Sequence, residues 1–224
     1  MKPINQKNNF VYLFFSLVIF LFSAAVTVDF PNSTGDDVFS VVTLLMLVVS
    51  LKSLQTERTW KRIVYGLIVF FVLLTALEKF FDHQLYVYLI LVTLLIFFLG
   101  SFLSAAKQVL TVGDIDANKI IGSLSLYLLL GLTWAMIYLL LLAMDPHSFS
   151  GVEVSNWKQG FSRIAYYSFV TLTTLGYGDI LPAKHIAEFF VYMEAIIGVF
   201  YMAIIVSSLI SLRFSSIERE RKVK

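Results

Sequence analysis

The stretch Thr171-Leu-Thr-Thr-Leu-Gly-Tyr-Gly-Asp-Ile-Leu-Pro182 determines what the rest of the chain must support. Two glycines, Gly176 and Gly178, flank an aromatic residue shortly after a run of threonines. Glycine adopts positive φ without steric cost, so this backbone can alternate between right- and left-handed conformations and direct successive carbonyl oxygens toward one axis. Rings of carbonyl oxygens, with a threonine hydroxyl, can replace the hydration shell of an ion. The pattern therefore predicts an ion-coordinating loop.

Six apolar segments accompany this stretch, each near the roughly 20 residues needed to cross a bilayer. Hydrophobic residues make up 58% of the chain and charged residues only 14%, against roughly 25% charged in soluble domains. The sequence thus predicts an all-α membrane protein with six transmembrane helices. The quoted stretch falls in a re-entrant loop between the fifth and sixth, where irregular backbone is tolerated because it lines a water-filled path. The segments cover residues 10–28, 38–54, 63–77, 85–106, 120–144 and 186–212.

The run from Thr174 to Asp179 resembles the Thr-Val-Gly-Tyr-Gly-Asp signature of the potassium channel family, with Leu175 in place of the usual valine. The resemblance extends over residues 120–212 as outer helix, pore helix, filter and inner helix. It implies a homotetramer, because one copy of the loop cannot encircle an ion. It also implies that K+ binds at the first four positions of a five-residue selectivity filter, made of Thr174, Leu175, Gly176, Tyr177 and Gly178.

A short pore helix is expected before the filter, from about residue 163 to 173, with Ser162 as its cap. Its C-terminal partial negative charge favours a cation. Tyr166 and Tyr167 stand where well-known family members carry two tryptophans. We expect the hydroxyl of Tyr166 to reach Asp179 and that of Tyr167 to reach Tyr177, with aromatic packing alone as the alternative.

Glu194 lies well inside the last apolar segment. An unpaired carboxylate at bilayer depth costs on the order of 3 kcal/mol or more, so we expect a partner. Its helical angle places it behind the filter rather than in the ion path, where hydroxyls such as those of Thr171 or Thr173 are candidate donors. Thr173, Asp179, the two tyrosines and Glu194 are therefore the predicted filter supports.

The last segment also carries the candidate gate. Gly198 stands where the family places its inner-helix hinge, and we expect a bend there, with close helix packing as the alternative. Val206, Ile210 and Phe214 share one helical face below it. The resemblance directs this apolar face toward the pore, where it can close by expelling water.

The distribution of basic residues predicts the topology, because cytoplasmic loops are enriched in Lys and Arg. With both termini cytoplasmic, few basic residues remain outside: Lys79, Lys158, Arg163 and Lys184. We expect a multi-pass protein in contact with the lipids of the cell membrane, of the bacterial inner-membrane type. A cleaved signal peptide is the alternative for the first segment.

Four regions follow from this layout. The predicted order is a four-helix membrane region over 1–106, a cytoplasmic linker over 107–119, the pore domain over 120–212 and a short basic cytoplasmic tail over 213–224. Voltage sensing requires several basic residues in one span, each worth about 2.3 kcal/mol per 100 mV, and residues 85–106 contain none. The first four helices are therefore expected to form a scaffold, or else a ligand- or lipid-sensing region.

The sequence favours a potassium-selective channel that conducts K+ passively and is not intrinsically voltage-gated. Two alternatives stay open: a non-conducting or regulatory membrane subunit, and a component of a potassium uptake transporter, a class that carries four degenerate filter copies in one chain. Cysteine is absent, and no constellation of nucleophile, base and oxyanion donors is present. We expect no enzymatic activity, no cofactor beyond permeant K+ and no nucleic-acid partner.

Overall fold

A computed structural model of the chain describes residues 8–29, 33–54, 58–81, 83–110, 117–154 and 156–207. Nearly all of the described residues are helical. Six helices follow the predicted apolar segments and one lies in the predicted loop. The bounds are α1 Asn9–Asp29, α2 Ser33–Ser53, α3 Arg58–Phe81, α4 Gln84–Leu110, α5 Ala117–Met144, α6 Trp157–Leu172 and α7 His185–Phe200.

Among the described residues, five helices are long and apolar enough to cross a membrane: α1, α3, α4, α5 and α7 with the turn that follows it. The α2 helix has 21 residues but differs in composition. Asp36 and Asp37 lie near its start and Lys52 near its end, so its central apolar stretch is short. Of the six predicted spans, five are therefore supported by length and composition.

The first two helices contact α6 directly. Phe20 of α1 and Phe39 of α2 both pack against Phe161 of α6, with ring centroids 5.0 Å and 5.4 Å away. All three rings are fully buried. The N-terminal region is consequently joined to α6 by an aromatic core rather than standing apart from it.

Two buried hydrogen bonds join three helix ends at a distance from this aromatic core. The Nδ2 group of Asn118 donates to Oδ1 of Asn9 at 2.7 Å, and Nδ2 of Asn9 donates to the carbonyl oxygen of Ser53 at 3.0 Å. These bonds link the start of α1, the end of α2 and the start of α5. Because buried polar groups are costly unless paired, they fix the relative register of the three helices.

The segment between α5 and α6 is tied to the segment that precedes α7. A 3-10 turn, Pro146–Ser148, leads into strand β1, Phe149–Ser150, which pairs antiparallel with β2, Leu181–Pro182. Gly151 follows β1 at φ 81°. A Cβ atom there would lie 2.0 Å from the carbonyl oxygen of Asp179, so glycine permits the close approach.

Candidate ion-coordinating site

The α6 helix begins earlier than the sequence suggests. It starts at Trp157, and its N-cap is Asn156, whose side chain accepts the backbone N–H of Lys158 at 3.0 Å. The predicted start near residue 163 with Ser162 as cap is wrong. Two features explain the difference. Trp157 and Phe161, four residues apart, bury the same helix face. Gly160 lies inside the helix against Val154, where a Cβ atom would be only 2.5 Å from that side chain, so the packing there requires glycine.

The C-terminal end of α6 holds the loop that follows, residues 173–180, which we call the glycine loop. The backbone N–H groups of Leu175 and Gly176 both donate to the carbonyl oxygen of Val170, at 2.9 Å and 3.3 Å. The Thr173 hydroxyl donates to the carbonyl oxygen of Phe169 at 2.6 Å. The last carbonyls of a helix lack partners within the helix, and here the glycine loop supplies them.

The backbone of the glycine loop alternates in handedness. Thr174, Gly176 and Gly178 have φ values of 59°, 56° and 78°. The two glycines thus adopt the positive φ that their positions suggest. Thr174 was not anticipated, because positive φ is a rare outlier for a β-branched residue. Such strain persists where the surrounding structure imposes it, often at functional sites.

An aromatic and ionic contact supports the outer part of the loop. The ring of Tyr166 stacks on that of Tyr177, with centroids 6.4 Å apart, and its hydroxyl lies near enough to interact with the Asp179 carboxylate. Arg163 lies 4.0 Å from the Asp179 carboxylate and over the Tyr166 ring. Within this chain Tyr166 therefore contacts both Tyr177 and Asp179. Tyr167 instead packs with its ring against α5 and β1.

The residue that follows α5, Asp145, carries a carboxylate held by two contacts. Asp145 accepts the backbone N–H of His147 at 2.9 Å and lies 3.4 Å from Nζ of Lys184. These two contacts hold the pKa of Asp145 below its ordinary value. The ion pair thus links the end of α5 to the start of α7 on the face that carries the β1–β2 pair.

Glu194 of α7 is completely buried between α5 and α6. Its Oε1 atom lies 2.6 Å from the Ser168 hydroxyl, and its Oε2 atom accepts the Tyr138 hydroxyl. The partners are thus Ser168 and Tyr138 rather than the expected Thr171 or Thr173. Ser168 also lies 2.8 Å from the carbonyl oxygen of Gly131. Because a hydroxyl has one proton to donate, a protonated Glu194 would complete this network.

Gly198 lies inside the regular part of α7 and is buried. A Cβ atom there would come within 2.3 Å of the carbonyl oxygen of Leu172, the last residue of α6. The Tyr127 hydroxyl donates to the same oxygen at 3.2 Å. This geometry favours close packing at Gly198 over a hinge.

The last predicted segment departs from regular α-helix after Phe200. Residues Tyr201–Val206 form a π-helical turn, whereas the sequence predicted one helix to residue 212. Tyr201 is buried, and its hydroxyl donates to the carbonyl oxygen of Ser123. For Val206 only the backbone is described, and Ile210 and Phe214 lie outside the described residues.

A match to a known family covers part of the chain, short of half its length. The family model described as an ion channel matches residues 124–214. The matched range contains most of α5 together with α6, the glycine loop and α7. With the five apolar helices, the match supports an ion channel function and indicates a membrane protein. Comparison with curated proteins and with solved structures gives no match.

Sequence reasoning missed Tyr138 and Ser168 as partners of Glu194. Tyr138 stands in an apolar segment with nothing adjacent to mark it. A buried carboxylate nevertheless requires donors, and every hydroxyl within the neighbouring segments was a candidate. The periodicity of one helix does not reveal which face of another it meets.

We expect Gly198→Ala to destabilise the protein by about 1–3 kcal/mol, because overpacking against a backbone oxygen forces helices apart. Since Leu172 directly precedes the glycine loop, the loop should shift as well. Thermal unfolding of the purified protein checks the first effect, and hydrogen exchange at the amides of Leu175 and Gly176 checks the second. Gly66→Ala is the control, because a Cβ at Gly66 meets nothing within 4 Å. Normal stability and selectivity with a lowered open probability would favour a hinge instead.

We expect Tyr138→Phe to lower the free energy of unfolding by about 1–3 kcal/mol, because it leaves a buried carboxylate oxygen without its donor. Thermal unfolding in detergent measures the effect. Tyr65→Phe serves as the control, since Tyr65 is exposed on α3. Equal unfolding temperatures for the two variants would mean that the Tyr138 contact contributes nothing to stability.

Proposed function

We propose that this chain is a potassium-selective channel that conducts K+ passively, with the glycine loop as its selectivity filter and α6 as its pore helix. The observation that carries the proposal is the positive φ at every second residue, at Thr174, Gly176 and Gly178. Alternation of this kind directs successive carbonyl oxygens to one side of the strand. A column of oxygens is what a dehydrated K+ ion requires.

The attachment of the loop supports the same role. The pore helix ends at Leu172, immediately before Thr173 and Thr174, so the partial negative charge of its C-terminus lies beside the entrance to the filter. The bonds from Leu175 and Gly176 to Val170 fix the first carbonyls of the column relative to that helix end. We infer K+ sites at Thr174, Leu175, Gly176 and Tyr177.

A homotetramer would complete the pore, since one strand supplies only one side of each oxygen ring. Side chains that a lone chain leaves exposed support this assembly. Leu175 and Tyr177 are 55% and 66% exposed, and α7 together with the turn that follows it carries an exposed apolar set of large side chains. That set consists of Phe189, Tyr192, Ile196, Val199, Phe200 and Met202.

The proposed topology adds α2 to the five apolar helices as a span and places the filter toward the outside and both termini in the cytoplasm. The protein would be a multi-pass protein of the cell membrane, of the bacterial inner-membrane type. The match to an ion channel family favours a protein without catalytic activity.

The basic residues of α3 and α4 lie at the ends of these helices, at Arg58, Lys61, Arg62, Lys79 and Lys107. None is placed at the middle of either helix to move through the membrane field.

The ratio of K+ to Na+ flux through the protein tests this function directly. The purified protein alone, reconstituted into liposomes, should pass K+ far better than Na+. Comparable fluxes of the two ions would contradict the proposal, and no flux would favour the regulatory-subunit alternative.

Gly176→Ala should abolish the discrimination between K+ and Na+. A Cβ at Gly176 meets nothing within 4 Å in the chain, so the change acts through the backbone, where a left-handed conformation costs an alanine about 1–2 kcal/mol. The flux ratio measures the loss, with Gly66→Ala as control. A selective Gly176→Ala channel would show that the positive φ is dispensable.

Opening should depend only weakly on membrane potential, because the apolar parts of α1 to α4 carry no basic residue. Planar-bilayer recordings over a wide voltage range measure this. Several gating charges per channel would contradict the expectation.

A further inference from the structure

Three consecutive residues at the start of α6 hold carboxylates that come from the N-terminal helices. Nδ2 of Asn156 donates to Oδ2 of Asp36 at 2.7 Å. Nε1 of Trp157 donates to Oε1 of Glu78 at 2.8 Å. Nζ of Lys158 lies 3.2 Å from Oε2 of the same glutamate. We call these five residues the carboxylate clamp.

The clamp is not needed to cap the helix. Asn156 already caps α6 with its own side chain, so Asp36 and Glu78 add contacts beyond those a helix start requires. Lysine in a first turn is moreover unfavourable, because the N-terminal end of a helix carries partial positive charge. Another role must account for this placement.

The charged pair of the clamp is largely buried. The side chains of Lys158 and Glu78 are only 6% and 16% exposed. A buried ion pair loses its hydration and is weak evidence for stability, whereas removing one partner leaves an uncompensated charge. Such a pair is best attested as a device that fixes one arrangement of elements. Here it fixes α3 against the first turn of α6.

The α6 helix can carry a displacement of its start to the filter. It contains 16 residues, which span about 24 Å at the α-helical rise. Its far end holds the glycine loop through the carbonyl of Val170. Clamp and filter are therefore the two ends of one rigid element.

We propose that Asp36 and Glu78 are positioning residues for the filter, through which the bundle α1 to α4 sets the position of the pore helix and so regulates conduction. The inference rests on the proposed channel function. The bundle thereby acts on the filter end of the pore without carrying gating charges. A stimulus that moves α2 or α3 relative to α6 would change conduction through these carboxylates.

A double-mutant cycle tests the clamp. Glu78→Gln keeps an oxygen for Trp157 but leaves Lys158 as a buried, unpaired charge. Glu78→Gln combined with Lys158→Met removes both charges, and Lys158→Met alone completes the cycle. We expect the single variant to change the open probability or the K+/Na+ flux ratio by about tenfold, within the usual range of coupling between sites. The double variant should return most of the way to the unaltered protein.

The matched control is Asp37→Asn. Asp37 pairs with Lys79, joining α2 to α3, and both side chains are about half exposed. In the described part of the chain this ion pair makes no hydrogen bond or salt bridge with α6, and its longer-range attraction for Lys158 crosses solvent that screens it. Asp37→Asn should therefore leave conduction nearly unchanged.

A readout that does not depend on conduction accompanies the recordings. Hydrogen exchange at the amides of Leu175 and Gly176 should be faster in Glu78→Gln, with tetramer content unchanged by size-exclusion chromatography. Additive effects of the two substitutions, or unaltered exchange and conduction in the single variant, would overturn the proposal. If the unaltered protein fails to conduct K+ yet exchange still responds to Glu78→Gln, the channel function is wrong and the mechanical link stands.

Discussion

The carboxyl end of α6 is the point on which the described structure depends. The carbonyl of Val170 accepts two amides of the glycine loop, and the carbonyl of Leu172 accepts the Tyr127 hydroxyl and lies against Gly198. Free helix carbonyls must find partners, and here the glycine loop and α5 supply them. A loop that strains Thr174 into positive φ can persist only because this end is held from several directions.

Apolar packing alone would not determine the rotation of α6 about its axis. The aromatic rings around Phe161 exclude water, but they tolerate small rotations because dispersion contacts are individually weak. The polar contacts are directional. Glu194 meets Ser168 behind the loop, and Glu78 meets Lys158 at the opposite end of the helix. Two buried carboxylates from different helices therefore define both the position and the rotation of α6.

The long apolar runs predicted the positions of six helices, because such runs have few other solutions in a bilayer. Five of these helices are long and apolar enough to cross one. The glycine spacing likewise predicted where the loop adopts positive φ. The start of α6 was not predictable in the same way, since Asn156 and Ser162 are equally good caps and only the burial of Trp157 decides between them. The strain at Thr174 and the partners of Glu194 arise from contacts between distant segments, which local patterns do not encode.

The position of Gly198 separates two kinds of inner-helix motion. A bend at Gly198 would move the residue that lies against the Leu172 carbonyl, so in the proposed channel it would disturb the loop as it opened the pore. The π-helical turn begins three residues later, at Tyr201, and such turns are common at functional sites. The Tyr201 hydroxyl holds the start of that turn to Ser123 of α5. If the chain is the proposed channel, motion beyond this anchor would leave the end of α6 and the loop undisturbed, and the turn would be a better place than Gly198 for a gate that preserves selectivity.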